Sequence, residues 1–140
     1  MQKYFIHTDG GARGNPGEGA VGAVIKTENG QLLFEISQRL GKTTNNIAEY
    51  TAVIFALEKL KENISKLQFD SETIFQFFLD SKLVVNQLNG LYKVKENHLR
   101  ELVIKVRGLE QEIGGKIYYS LIPREKNFEA DRLVNKALDS

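Results

Sequence analysis

Near Asn45 the apolar residues stop recurring at every second position and begin to recur about every 3.6, and that change constrains the fold more than any other feature of the chain. Ahead of it, Lys3–Asp9 alternates and predicts a strand. Ala20–Lys26 (AVGAVIK) and Leu32–Leu40 (LLFEISQRL) predict two more, with Glu28-Asn29-Gly30 supplying an Asn-Gly hairpin signal between them. The first three strands therefore read as an antiparallel meander. Gly10–Gly19, with Gly10, Gly11, Gly14, Gly17, Gly19 and Pro16, reads as a turn-rich loop. Beyond the change, a helix begins at about Asn45, a good N-cap residue, and runs through Ile47, Tyr50, Val53, Ile54, Leu57 and Leu60 to about Asn63. Ile74–Leu79 (IFQFFL) is almost wholly apolar, the pattern of a strand covered on both faces.

Ser81 is placed to cap a short helix over 82–88, closed by Asn89-Gly90. A longer helix spans 97–113 and stops at Gly114-Gly115. Lys116–Ile122 gives a fifth strand, Pro123–Asn127 a polar loop, and Phe128–Leu138 a last helix. The 140 residues are expected to form one α/β domain over 1–140. Its sheet is five-stranded and mixed, with three antiparallel strands followed by helix-linked parallel strands, flanked by helices.

No apolar run is long enough to cross a membrane, and no basic segment with a long apolar core precedes the first strand. Cysteine is absent, which excludes disulfides and thiolate metal sites and fits a cytoplasmic protein. The formal charge of +1 neither announces nor excludes a nucleic-acid binder.

Eighteen residues are acidic. Glu58, Glu62, Glu101, Glu110 and Glu112 lie among lysines on helix faces and read as solvated. Four others do not. Asp9 ends an apolar strand, and Asp80 ends the most apolar one. Glu49 shares a helix face with Val53, Ala56 and Leu60, and Asp131 shares one with Val134 and Leu138. An ionised carboxylate on an apolar face is costly unless opposite charge compensates it, and a helix N-terminus offers only about 0.3–1 kcal/mol. A hard divalent cation answers that cost with the ligands it prefers. Each acid also has a plainer reading: a turn former for Asp9, a residue preceding the Ser81 cap for Asp80, a partner of the helix dipole for Glu49 and Asp131. Spacing alone leaves both readings open.

The segments around these acids carry a resemblance. Thr8-Asp9-Gly10-Gly11 with Gly14-Asn15-Pro16-Gly17, Thr43-Thr44-Asn45-Asn46-Ile47-Ala48-Glu49, Asp80-Ser81 and Asn127-Phe128-Glu129-Ala130-Asp131 resemble, in order and over nearly the whole chain, the ribonuclease H type 1 family. The resemblance implies the ribonuclease H-like fold and an endonuclease that hydrolyses the RNA strand of RNA–DNA hybrids by two-metal in-line attack, leaving 5′-phosphate and 3′-hydroxyl ends. It implies that Asp9, Glu49, Asp80 and Asp131 are the catalytic, metal-binding acids for two Mg2+ ions, with Mn2+ a substitute, and that Glu49 also senses the RNA 2′-hydroxyl. Asn45 and Asn46 match minor-groove contacts, and Thr44 a grip on the DNA-strand phosphate. Gly10, Gly11, Asn15, Ser81 and Lys95 complete the expected substrate contacts. The implied partner is an RNA–DNA hybrid and the implied state a monomer.

Two departures stand out. Many family members carry a histidine in the loop before the last acid, whereas Pro123-Arg124-Glu125-Lys126-Asn127 has none, and His7 and His98 lie elsewhere. Arg124 is expected to act in its place on phosphate charge. Many relatives also have a tryptophan- and lysine-rich protrusion. This chain has no tryptophan, and Tyr92–Asn97 is short and mildly basic, so weak, salt-sensitive binding is expected. Competing readings are a catalytically silent binding module of the same fold, a nuclease also acting on double-stranded RNA, a transposase- or resolvase-like nuclease acting on DNA, and a non-enzymatic interaction protein.

Overall fold

The structure, a computed structural model, describes residues 2–140. Strands β1 (Lys3–Gly14), β2 (Gly17–Thr27) and β3 (Leu32–Thr43) are followed by helix α1 (Asn45–Glu62), strand β4 (Ile74–Leu79), helices α2 (Lys82–Leu88) and α3 (Asn97–Ile113), strand β5 (Lys116–Leu121) and helix α4 (Phe128–Asp139), with single 3-10 turns at Ile64–Lys66 and Arg124–Lys126. The sheet order is β3-β2-β1-β4-β5. The β1–β2 and β2–β3 pairs are antiparallel, and β1–β4 and β4–β5 are parallel. This is the mixed sheet that the change of period predicts.

One face of the sheet is sealed by α1, with α3 packed behind it. Tyr4 and Ile6 of β1 and Phe75, Phe77 and Leu79 of β4 meet Tyr50, Val53, Leu57 and Leu60 of α1 in a single buried cluster that extends to Val106 of α3. On the other face α4 lies across β1, β2 and β3. There Val134 and Ala137 bury Ala20.

Three local expectations are corrected. Gly10–Gly19 is not a loop: β1 and β2 run through it as a continuous ladder to the Gly14↔Gly17 pair, leaving Asn15-Pro16 as the turn. Several of these glycines serve close approach inside strands instead of turning the chain. A Cβ on Gly10 would lie 2.2 Å from the Ala48 carbonyl oxygen of α1, and one on Gly22 would lie 2.2 Å from that of Ala130 in α4. Secondly, α1 is capped by Thr44, not Asn45. Thr44 has extended backbone and its side chain accepts the Ile47 N–H. Thirdly, β4 is buried on alternate residues only. α4 stops short of β4 and β5, so Ile74, Gln76 and Phe78 stay half-exposed on that side.

Two glycine substitutions separate close approach from mere flexibility. Gly22→Ala is expected to cost about 2 kcal/mol or more by lifting α4 off the sheet. Gly108→Ala, in the middle of α3 with open space around it, is expected to stabilise by about 0.5–1 kcal/mol. Urea unfolding of the two variants checks both; equal effects would show that the α4 approach is not tight.

Candidate metal centre

The parallel pairing of β1 with β4 carries on to the point where β4 ends, which sets Asp80, just past that end, beside Asp9 in the middle of β1; Asp9 does not end its strand as the sequence suggests. Along both strands the alternation continues onto one face: His7 and Asp9 on β1, Phe78 and Asp80 on β4. Glu49 comes from α1. It reaches the pair because Gly10 lets the Ala48-Glu49 backbone press against β1, and the Gly10 backbone beside its carboxylate favours the ionised form. Carboxylate oxygens of Asp9, Glu49 and Asp80 all lie within 4.8 Å of one another.

Asp9 is 3% exposed and Glu49 7%. Burial, with the Asp80 charge next, pushes the Asp9 carboxyl up to about 7. Burial, then the Asp9 charge, raises Glu49 well above the usual carboxylate range. Asp9 Oδ1 and Glu49 Oε2 are buried without a hydrogen-bond partner. Among the described residues, the other buried side-chain atoms in that condition are His7 Nδ1, Thr8 Oγ1 and Asn127 Oδ1. Unpaired polar atoms are therefore concentrated where the carboxylates meet, and not scattered through the core. An oxygen-only donor set with free inward-facing lone pairs fits a hard divalent cation.

Asp131, near the start of α4, stands outside the trio. It lines with Asp9, Gly10, Gly11 and Arg124 a small cleft of about 150 Å3, and its charge also raises Asp9 while that of Arg124 lowers it. Three of the four expected acids thus converge, with the fourth and Arg124 at the rim.

The remaining expected residues divide into two groups. Asn45 and Asn15 lock the β1–β2 hairpin tip to the start of α1: Asn45 Oδ1 accepts the Ala12 N–H at 2.9 Å, and Asn15 Oδ1 accepts the Asn45 N–H at 3.0 Å. Thr44 and Ser81 cap α1 and α2. Asn46 and Lys95 line a separate groove of about 570 Å3 with Leu83, Gln87 and Tyr92, between the start of α1 and the α2–α3 connection.

Asn127 was not singled out from the sequence as a site residue. It is 1% exposed, and its Nδ2 donates to the Thr8 carbonyl at 2.8 Å and to Asp80 Oδ2 at 3.0 Å. It occupies the N-cap position of α4 yet makes no side-chain cap. An asparagine preceding a helix reads as a cap, which hides its other use. Glu110 also differs from its solvated reading, accepting from the Tyr119 hydroxyl at 2.7 Å and from Arg107.

The family model described as reverse transcriptase-like matches residues 7–137. A bifunctional protein of Mycobacterium tuberculosis is 39% identical over 139 residues, 99% of this chain and 36% of that protein, so the chain spans about a third of that relative's length. Ribonuclease HI of Halobacterium salinarum is 38% identical over 141 residues, covering 99% of this chain and 64% of its own. LC11-RNase H1, isolated from compost by a metagenomic approach, has a solved structure similar at TM-score 0.91, with 47% identity and coverage of 99% of this chain and 97% of that one. The same protein in complex with an RNA/DNA hybrid gives TM-score 0.90 at 47% identity, covering 97% and 96%.

A carboxyl held above its unfolded value favours folding while protonated and opposes it once ionised. With chelator present, stability is therefore expected to fall as pH rises from about 4 to about 7 through the Asp9 range. Asp9→Asn should flatten that fall, and Mg2+ should reverse it at neutral pH. Thermal melts check this, each kcal/mol moving Tm by about 3–5 °C. A wild-type profile in chelator that is flat over that range would contradict the burial of charge described above.

Proposed function

Because the chain belongs to the ribonuclease H type 1 family, we propose that it is a metal-dependent endonuclease that hydrolyses the RNA strand of RNA–DNA hybrids, leaving 5′-phosphate and 3′-hydroxyl ends. The observation that carries this reading is the convergence of Asp9, Glu49 and Asp80 oxygens within 4.8 Å, with two buried oxygens left unpaired. A relative at 47% identity complexed with an RNA/DNA hybrid supports the choice of substrate. The reading includes a monomer acting in the cytoplasm.

Asp9, Glu49 and Asp80, with Asp131 at the rim, would hold two Mg2+ ions or Mn2+ in their place, and such ions supply charge neutralisation and an activated water at a scissile phosphate. The chain's own residues position everything else. The paired strands β1 and β4 fix Asp9 and Asp80 on a rigid sheet, the close approach at Gly10 brings in Glu49, and the two Asn127 donor hydrogens hold Asp80 against the Thr8 carbonyl. A supporting partner of this kind is typically worth about 10–100-fold in metal affinity or activity. Glu49, on the helix side, would meet the RNA 2′-hydroxyl. The side chain lacking at Gly11 would leave backbone free to approach the hybrid, with Gly10 beside it giving its space to α1. Asn45 and Asn46 would meet minor-groove edges, where amides both donate and accept, and Asn15 would hold the hairpin tip near them. Thr44, Ser81 and Lys95 would meet phosphates. Contacts of this kind read shape and 2′-hydroxyls more than base sequence.

Arg124 is exposed beside the cleft and stands where many relatives carry histidine. A fixed guanidinium stabilises phosphate charge but does not shuttle protons near neutral pH. Turnover should consequently lack a histidine-like rise with pH from this loop.

A gel assay on hybrid, duplex RNA and duplex DNA tests the proposal. Mg2+-dependent cutting of the hybrid, abolished by chelator and lowered more than roughly 100-fold by Asp80→Asn, is expected. Arg124→Ala is expected to lower kcat about 10- to 100-fold, the worth of one charge-assisted hydrogen bond. Unchanged turnover in Arg124→Ala would remove that residue from the mechanism. Intact binding without cutting would leave the silent-module reading, and cutting of duplex RNA would widen the substrate range.

A further inference from the structure

The half-exposed face of β4 continues onto β2, β1 and β5. By register, Lys26, Phe5, Gln76 and Tyr118 form one row, and His7, Phe78 and Ser120 the next. The row beyond Phe78, toward the strand ends, holds Asp9 and Asp80. Lys3, Ile74 and Lys116 close the far end. α4 covers β1–β3 on this side and leaves β4 and β5 open.

Three of the rings on this face hold one another in place, and a fourth lies open. Phe5 and Phe78 meet edge to face at 5.5 Å, His7 stacks on Phe78 at 4.8 Å, and Tyr118 is 49% exposed. Between them lie hydrogen-bonding groups, the Gln76 amide donating to Ser120 Oγ at 2.9 Å. Lys3 sits over the Phe5 ring at 5.5 Å and makes no ion pair among the described residues. Lys26 and Lys116 are steadied by Glu129 and Glu72.

We propose that this face is a stacking platform for single-stranded nucleic acid, seating the unpaired end of a strand as it leaves the carboxylates. A flat sheet presenting rings interleaved with amides and lysines is the chemistry that binds splayed bases. Bases inside a duplex are already stacked and have no free face to offer it. From Asp80 to the Gln76 row is about 13 Å at about 3.3 Å per residue, room for the two or three bases such a sheet holds. Since two of the three lysines are already paired, stacking outweighs phosphate attraction, and the salt dependence should be shallow. This inference rests on the nuclease reading for its substrate class, though not on cleavage itself.

The test is fluorescence anisotropy with labelled ten-nucleotide oligothymidine and oligouridine, in chelator, beside cleavage of a blunt hybrid in Mg2+. Tyr118→Ala is expected to weaken single-strand binding about 5- to 100-fold, Tyr118→Phe to retain it, and Lys3→Gln to weaken it slightly, all with blunt-hybrid cleavage and Tm unchanged. Equal binding by wild type and Tyr118→Ala overturns the proposal, as does a wild type that binds neither oligonucleotide. A dimer seen by sedimentation and dissolved by Tyr118→Ala also overturns it, assigning the face to a second copy. If single strands bind through Tyr118 but the hybrid is never cut, the platform stands and the nuclease reading falls. If the hybrid is cut and Tyr118→Ala changes nothing, the reverse holds.

Discussion

Burial of two carboxylates, compounded by their repulsion of each other and of a third beside them, is the constraint to which the rest of the structure answers. Asp9, Glu49 and Asp80 meet where β4 ends against the middle of β1, with oxygens within 4.8 Å. Moving like charges together into a low-dielectric site costs several kcal/mol per ion after relaxation. The protein supplies little to offset that: the Gly10 backbone, the Asn127 amide and the distant Arg124. A cationic ligand is the missing term, and the fold holds the oxygens ready for it instead of relaxing them apart.

Readiness of this sort requires stiffness, and it comes from backbone approach more than from side-chain bonds. Gly10 admits α1 to the sheet, Gly22 admits α4, and the Asn15–Asn45–Ala12 hydrogen bonds fasten the hairpin tip to the start of α1. Each contact ties an acid-bearing element to β1 or β2. Asn127 performs the same task from the last connection, joining the loop before α4 to both β1 and Asp80. The site is thus a junction of four chain segments, and no one segment would form it alone.

Most of the fold was legible because hydrophobic period survives folding. All five strands and four helices stand where alternation or helical spacing puts them, with ends shifted by a few residues. What the period cannot report is who approaches whom. The glycines from Gly10 to Gly19 look like punctuation, yet a strand that must touch a helix backbone wants the same residue as a turn. Thr44 and Asn45 are both good caps, and only the geometry gives the cap to Thr44 and frees the Asn45 side chain for Ala12. IFQFFL signals burial on both faces, but α4 is too far toward β3 to cover it. The acids were visible by their apolar surroundings and the motifs around them. Asn127 was not, because an asparagine ahead of a helix already has an ordinary explanation.

Anomalous diffraction from crystals soaked in Mn2+ shows whether the three carboxylates hold a cation. A peak bounded by Asp9, Glu49 and Asp80, at about 2.0–2.2 Å from their oxygens, is expected, as small hard cations prefer. Density with no peak there at millimolar Mn2+, or with the three carboxylates turned apart and hydrated, would contradict it.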